Sequence, residues 1–160
     1  MHVNHEEIQH SPYAISRAEV ADAALITDVF IRSRVGMEYI DPNLHSEQET
    51  HDWLAGLITD EANTVLKAES GGKLAGFCVL REGWLDHLYV DPDQQGKGIG
   101  SSLLHDAQSA HPELQLWVFQ QNTDGTKFYE ANGFKLVEKT DGAGNEERLP
   151  DARYIWKREG

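Results

Sequence analysis

From Trp84 to Phe119 the chain reads strand, glycine-rich loop, amphipathic helix, strand, while its other strands meet through short turns or a hairpin loop. A strand–helix–strand crossover joins parallel neighbours, and short turns join antiparallel ones. Together they admit a mixed sheet with helices packed on it, an α+β layout. The antiparallel part precedes the crossover. Thr64–Glu69 and Leu74–Arg81 flank the turn Ser70-Gly71-Gly72-Lys73, and Glu82-Gly83 turns the chain again into Trp84–Val90. After the crossover Leu114–Phe119 reads as a buried strand, and Phe134–Lys139 and Ala152–Lys157 as two strands around the loop Thr140–Asp151.

The helices are legible from spacing and from their ends. Asp22–Tyr39 places Ala24, Ile26, Val29, Phe30 and Met37 near helical period, and Asp41-Pro42-Asn43 breaks it. Ser46 and Glu49 form a capping box that opens a second helix through Trp53, Leu54, Leu57 and Ile58. Gly98–His111 puts Ile99, Leu103, Leu104 and Ala107 on one apolar face, and Thr123–Asn132 closes on Asn132-Gly133. With a short first strand at Tyr13–Arg17, the order is β-α-α-β-β-β-α-β-α-β-β. Residues 1–11 read as a polar tail and 12–160 as a single domain, for which 160 residues supply a real core.

Composition narrows the function classes. No apolar run reaches the roughly 18 residues of a membrane span, and the first residues lack the basic-then-apolar order of a signal peptide. The lone cysteine, Cys78, lies within LAGFCVL and is expected as a buried core thiol, with the cytoplasm as the natural compartment. A net charge of −13 repels nucleic acid phosphates and favours a cationic small molecule or peptide, though acidity also serves plain solubility. The eight histidines show neither an HExxH pattern nor ligand spacing with a cysteine, so no metal is expected.

The crossover loop carries the chemistry. In VDPDQQGKGIGSSLL three glycines, Gly96, Gly98 and Gly100, fall within five positions at a helix start. Glycine there costs nearly 1 kcal/mol relative to alanine. A Walker loop is excluded because Lys97 precedes Gly98 and is not followed by Ser or Thr; a dinucleotide fingerprint fails at Ser101 and Leu103. The pattern Gln-x-x-Gly-x-Gly fits from Gln95 to Gly100. Missing side chains let a pyrophosphate approach the backbone, where the unpaired N–H groups of the helix start point at it. Lys97 adds positive charge. A glycine turn into a helix with no ligand is the plain alternative.

Leu88-Tyr89-Val90-Asp91-Pro92 followed by Gln95–Gly100 resembles the acyl-CoA-binding motif of the GNAT superfamily of N-acetyltransferases. Asn122 with Phe128-Tyr129-Glu130-Ala131-Asn132-Gly133-Phe134 resembles that family's N-x₅-FYxxxGF segment. The resemblance implies a central mixed, mostly antiparallel sheet of about seven strands with about four helices on both faces. It implies an enzyme moving an acetyl group from acetyl-CoA to a primary amine, on a small molecule or peptide, by direct attack in a ternary complex. A non-catalytic acyl-CoA sensor on the same fold is the alternative. It leaves room for a homodimer, since members are often dimers.

Carried over residue by residue, the third and fourth central strands splay apart. Main-chain groups of Leu88 and Val90 then bond the pantetheine arm. Gln95, Gly96, Lys97, Gly98, Gly100 and Ser101 surround the pyrophosphate, and Asn122 bonds the cofactor near the pantetheine. Tyr129 takes the place of the general acid for the coenzyme thiolate, packing beside Phe128 being the plainer role. Two positions that hold a glutamate base in some members are Trp84 and Trp117 here. Asp86 shares a face with Trp84 by strand alternation and is the first candidate base, an ordinary polar strand residue being the alternative. His87 then points to the opposite face, unless a bulge undoes the parity. Glu146, Glu147 and Asp151 in the last loop are candidates to bind a cationic amine or form a solvated hairpin tip. Tyr39, Asp41, His45 and Glu47 offer a second acceptor wall.

Overall fold

The computed structural model describes residues 13–35, 37–41 and 43–159; the tail expected over 1–11 lies outside them. In chain order the elements are β1 (Ala14–Arg17), α1 (Ala23–Val35), α2 (Glu47–Thr59), β2 (Thr64–Ser70), β3 (Lys73–Arg81), β4 (Trp84–Val90), α3 (Ile99–Ala110), β5 (Glu113–Phe119), α4 (Thr123–Ala131), β6 (Lys135–Lys139) and β7 (Asp151–Lys157). The seven strands form one sheet in the order β1-β2-β3-β4-β5-β7-β6. Every neighbouring pair is antiparallel except β4 and β5, which the α3 crossover makes parallel.

The sheet is sandwiched. Alternation along β3 sends Cys78 and Leu80 to one face and Phe77 and Val79 to the other. The first face packs on Ile99, Leu103, Leu104 and Ala107 of α3 and on Phe128 and Tyr129 of α4. The second packs on Ile26, Val29 and Phe30 of α1 and Leu54 of α2. Cys78 is the buried thiol expected, and burial pushes its pKa up to about 12, so it stays protonated and inert. No described helix is long and apolar enough to cross a membrane.

The first helix stops at Val35, short of the Tyr39 expected. The Met37 N–H bonds to the Arg34 carbonyl and the Ile40 N–H to that of Met37, tight turns that replace helical bonds. Ile40 is thereby buried, and the Tyr39 ring meets Phe119 of β5 edge-on at 6.0 Å.

One ion pair ties α1 to the end of β4. The Arg32 guanidinium donates to both carboxylate oxygens of Asp91, at 2.8 and 2.7 Å, and Asp91 is 1% exposed. Asp91 also accepts from the Asp93 N–H at 2.9 Å, so it caps the turn that opens the glycine loop. The Arg32 bonds, then the Asp93 N–H, hold its pKa below the usual carboxylate range against the cost of burial. Arg32→Met should cost about 2 kcal/mol of stability, because a buried carboxylate loses its fork while partial solvent access softens the loss. Asp91 supplies this stability above its unfolded pKa near 4, and the stability disappears as pH falls through the lower folded value. The difference between wild type and variant in urea melts should therefore shrink toward pH 2.

Candidate active site

The sheet opens between β4 and β5. Their ladder keeps one register pair, Trp84 opposite Gln115, and a cavity of about 820 Å³ lies past that point. Leu88 and Val90 form one wall, and Trp117 and Phe119 the other. Gln95 and Gly100 close the end beneath α3, while Asn122 and Tyr129 reach in from α4. Six of the sequence-predicted cofactor and acid residues thus meet in one cleft. Gly96, Lys97, Gly98 and Ser101 sit in the adjoining loop and first turn of α3, outside the cavity wall.

That loop presents backbone. Gly96 and Gly98 have φ of 80° and 85°, left-handed values that side chains resist. Gly98 is the N-cap of α3, and no side chain caps the helix there. The Tyr13 hydroxyl donates to the Lys97 carbonyl, and Lys97 Nζ to Gln94 Oε1 at 3.2 Å. The helix start is therefore held open from outside, with its first N–H groups uncapped and its dipole favouring an anion. The Val90 carbonyl accepts from Ser33 Oγ at 3.0 Å and Gln95 Nε2 at 3.5 Å. Asn122 caps α4, its Oδ1 accepting from the Gly125 N–H at 2.9 Å. That leaves its Nδ2 as the donor for a ligand.

Tyr129 stands between the rings of Phe128 and Phe134, at 5.2 and 5.5 Å. Its hydroxyl makes no hydrogen bond among the described residues. Burial, with nearby Tyr89 and Cys78, pushes its pKa well above the ordinary phenol. It is a protonated phenol on the wall of the cleft.

Strand parity fails at Asp86. Val79 of β3 pairs with His87, but Leu80 pairs with Leu85, so Asp86 is the extra residue of a bulge. Leu85 stays under α3 and α4, whereas His87 lies among α1 and α2, its ring 5.0 Å from Trp53 and 6.4 Å from Phe30. The bulge brings His87 onto the face of Asp86, and both line the cleft, where simple alternation separates them. Asp86 accepts from Arg81 Nε at 3.1 Å. Burial pushes the His87 pKa down to about 4, assisted by Arg34 and opposed by Asp86 and Glu147. His87 is thus neutral at ordinary pH.

A second cavity of about 710 Å³ lies between α1, α2 and the loop before β7. Asp41, His45, Glu47, Glu146 and Glu147 line it, as does Trp53. Glu146 meets His45 Nε2 at 2.8 Å, and Arg34 donates to Glu147 at 3.3 Å. The Glu146 hydrogen bond raises the His45 pKa. Of the acceptor residues expected from sequence, Tyr39 instead packs on Phe119. Asp151 lines the first cavity, held by the Thr140 hydroxyl and the Asn145 amide. Trp117 lines the first cavity as well, while Trp84 lines neither. Arg34, His87 and Glu147 line both. Arg34 carries no sequence signal, since one arginine on a helix looks like any other.

Residues 61–136 match the family model described as an acetyltransferase (GNAT) domain. The chain is 41% identical to the peptidyl-lysine N-acetyltransferase YiaC of Escherichia coli, over 44% of this chain and 49% of that protein. It is 32% identical to the peptidyl-lysine N-acetyltransferase YjaB of Salmonella typhimurium, over 60% and 74%. It is also 32% identical to the spermidine N(1)-acetyltransferase of Thermoplasma acidophilum, over 66% and 73%. Among solved structures, apo YjaB from Escherichia coli superposes with a TM-score of 0.75 at 24% identity, covering 90% of this chain and 97% of that one. A Thermoplasma acidophilum PaiA N-acetyltransferase, solved with coenzyme A, superposes at 0.66 with 25% identity, covering 91% and 99%. The chain belongs to the GNAT family of acetyl-CoA-dependent N-acetyltransferases.

Proposed function

We propose that acetyl-CoA enters the cleft between β4 and β5 and that the amine enters the second cavity, the two reactants meeting where the cavities share Arg34, His87 and Glu147. That shared wall is the observation that carries the reading. Main-chain groups of Leu88 and Val90 bond the pantetheine arm and Asn122 Nδ2 adds a donor beside it. The backbone from Gln95 through Ser101 receives the pyrophosphate, with Lys97 free to swing from Gln94 toward it. Tyr129 protonates the departing thiolate. The coenzyme A complex of the Thermoplasma relative supports this assignment of the donor.

The acceptor is an alkylamine, best read as the side chain of a peptidyl lysine. Carboxylates Asp41, Glu47, Glu146 and Glu147 suit an ammonium at the cavity mouth, and the methylenes fit along Ile31, Phe30 and Trp53. The rim also exposes apolar side chains, Val35 at 64%, Leu44 at 39% and Trp53 at 42%, which suit flanking peptide residues better than a free polyamine. Two relatives that act on peptidyl lysine support the same acceptor; the spermidine relative keeps a polyamine as the second reading. Coenzyme A release should be measured with lysine peptides and spermidine side by side. A higher kcat/KM on the peptide is expected, and turnover of spermidine alone would reverse the order. Glu147→Gln should raise the amine KM about five- to tenfold while leaving the KM of acetyl-CoA unchanged, since a single partly buried charge pair is worth about 1 kcal/mol.

A further inference from the structure

We propose that His87 is the group that removes the proton from the attacking amine. The inference rests on the two-cavity reading above.

Three observations place it there. His87 belongs to the wall shared by the donor and acceptor cavities, so its ring borders the space where amine nitrogen and thioester carbon approach. It reaches that wall because Asp86 is bulged out of the β3–β4 ladder, a local defect that re-aims the next side chain. Its ring nitrogens make no hydrogen bond among the described residues, while Phe30, Trp53 and Tyr89 hold it in place by edge and stacking contacts. A histidine fixed by its neighbours' rings, with both nitrogens unspent, is positioned for proton traffic. The other two members of the shared wall are poorer candidates. Arg34 carries its charge permanently, and Glu147 is occupied by Arg34.

The charged groups around the ring are Asp86 on its own strand, Arg34 on α1 and Glu147 on the loop before β7. With burial as the largest influence, they leave the imidazole neutral above about pH 4, so it is ready to accept at any ordinary pH. Such a weak base does not deprotonate a free alkylammonium efficiently, so solvent takes that first proton. The amine attacks as the free base, and its nitrogen bonds to the thioester carbon. That nitrogen becomes positively charged and far more acidic than a free alkylammonium. Its proton passes to the unprotonated nitrogen of His87. The carbon–sulfur bond breaks with its electron pair on sulfur, which takes the Tyr129 proton. Imidazolium and phenolate then exchange one proton through solvent, and both return to their starting states. Asp86, whose charge favours the imidazolium, stabilises the intermediate stage without touching the amine.

The test compares His87→Gln, His87→Ala and Asp86→Asn with wild type, using acetyl-CoA and whichever lysine peptide or polyamine turns over best. His87→Gln should lower kcat about a hundredfold. Its acetyl-CoA affinity by calorimetry should stay within about twofold of wild type, since a base contributes to the transition state rather than to donor binding. Asp86→Asn should lower kcat only about fivefold, the size of a charge acting at a distance. Added imidazole should restore His87→Ala at least about tenfold, a rescue that a packing role does not give. A His87→Gln kcat within threefold of wild type overturns the inference, as does loss of acetyl-CoA binding in both His87 variants. A larger loss in Asp86→Asn than in His87→Gln moves the base to Asp86. Wild-type protein that binds acetyl-CoA yet acetylates no amine overturns the two-cavity reading itself.

Discussion

Tyr129→Phe is expected to lower kcat about a hundredfold while acetyl-CoA still binds, the usual loss when a general acid is removed. The side chain loses one hydroxyl that bonds to nothing among the described residues, so the fold has little to lose. Packing between Phe128 and Phe134 is kept. The raised pKa of Tyr129 does not argue against its proposed role as acid. Burial disfavours the phenolate, but it would disfavour a coenzyme thiolate bound in the same cleft in the same sense. What governs proton transfer is the difference between the two, not the shift of either alone. Because the phenol stays protonated across ordinary pH, the ratio of wild-type to variant rate should be flat between about pH 6 and 9. An unchanged rate across amines and thioesters would remove Tyr129 from the mechanism.

How far such roles could be read before the structure depends on whether they are local in the chain. The glycine loop and the Phe128–Phe134 segment are contiguous, and resemblance to a family rests on contiguous motifs. The seven strands and four helices were legible because each is set by its own period and end signals, such as the capping box at Ser46 and Glu49, present as expected. The first helix was overextended because Met37 keeps the apolar spacing, whereas tight turns after Arg34 take over the backbone bonds. His87 was hidden for a different reason. Period-two alternation assumes an unbroken ladder, and the bulge at Asp86 is a property of the β3–β4 pair rather than of either strand. The Arg32–Asp91 and His45–Glu146 pairs join residues 59 and 101 positions apart, and nothing local in either partner names the other.

Gly98→Glu should weaken acetyl-CoA binding by at least about a hundredfold, close to 3 kcal/mol. Gly98→Ala should weaken it only about five- to tenfold. The two substitutions separate backbone strain from charge. A Cβ at Gly98 meets nothing within 4 Å, so neither variant is blocked by packing. Both strain a backbone held at φ 85°, at a cost of about 1 kcal/mol, and so loosen the turn that presents the N–H groups. Glutamate alone also sets a negative charge at the N-terminus of α3, where the pyrophosphate is proposed to lie. In the absence of cofactor that same charge is favourable to the helix dipole, by about 0.3–1 kcal/mol. The glutamate variant should therefore melt no lower than the alanine variant while binding acetyl-CoA far more weakly. Opposite orders in melting temperature and affinity are hard to obtain from misfolding. Equal affinities for the two variants in calorimetry would place the pyrophosphate elsewhere than at this helix end.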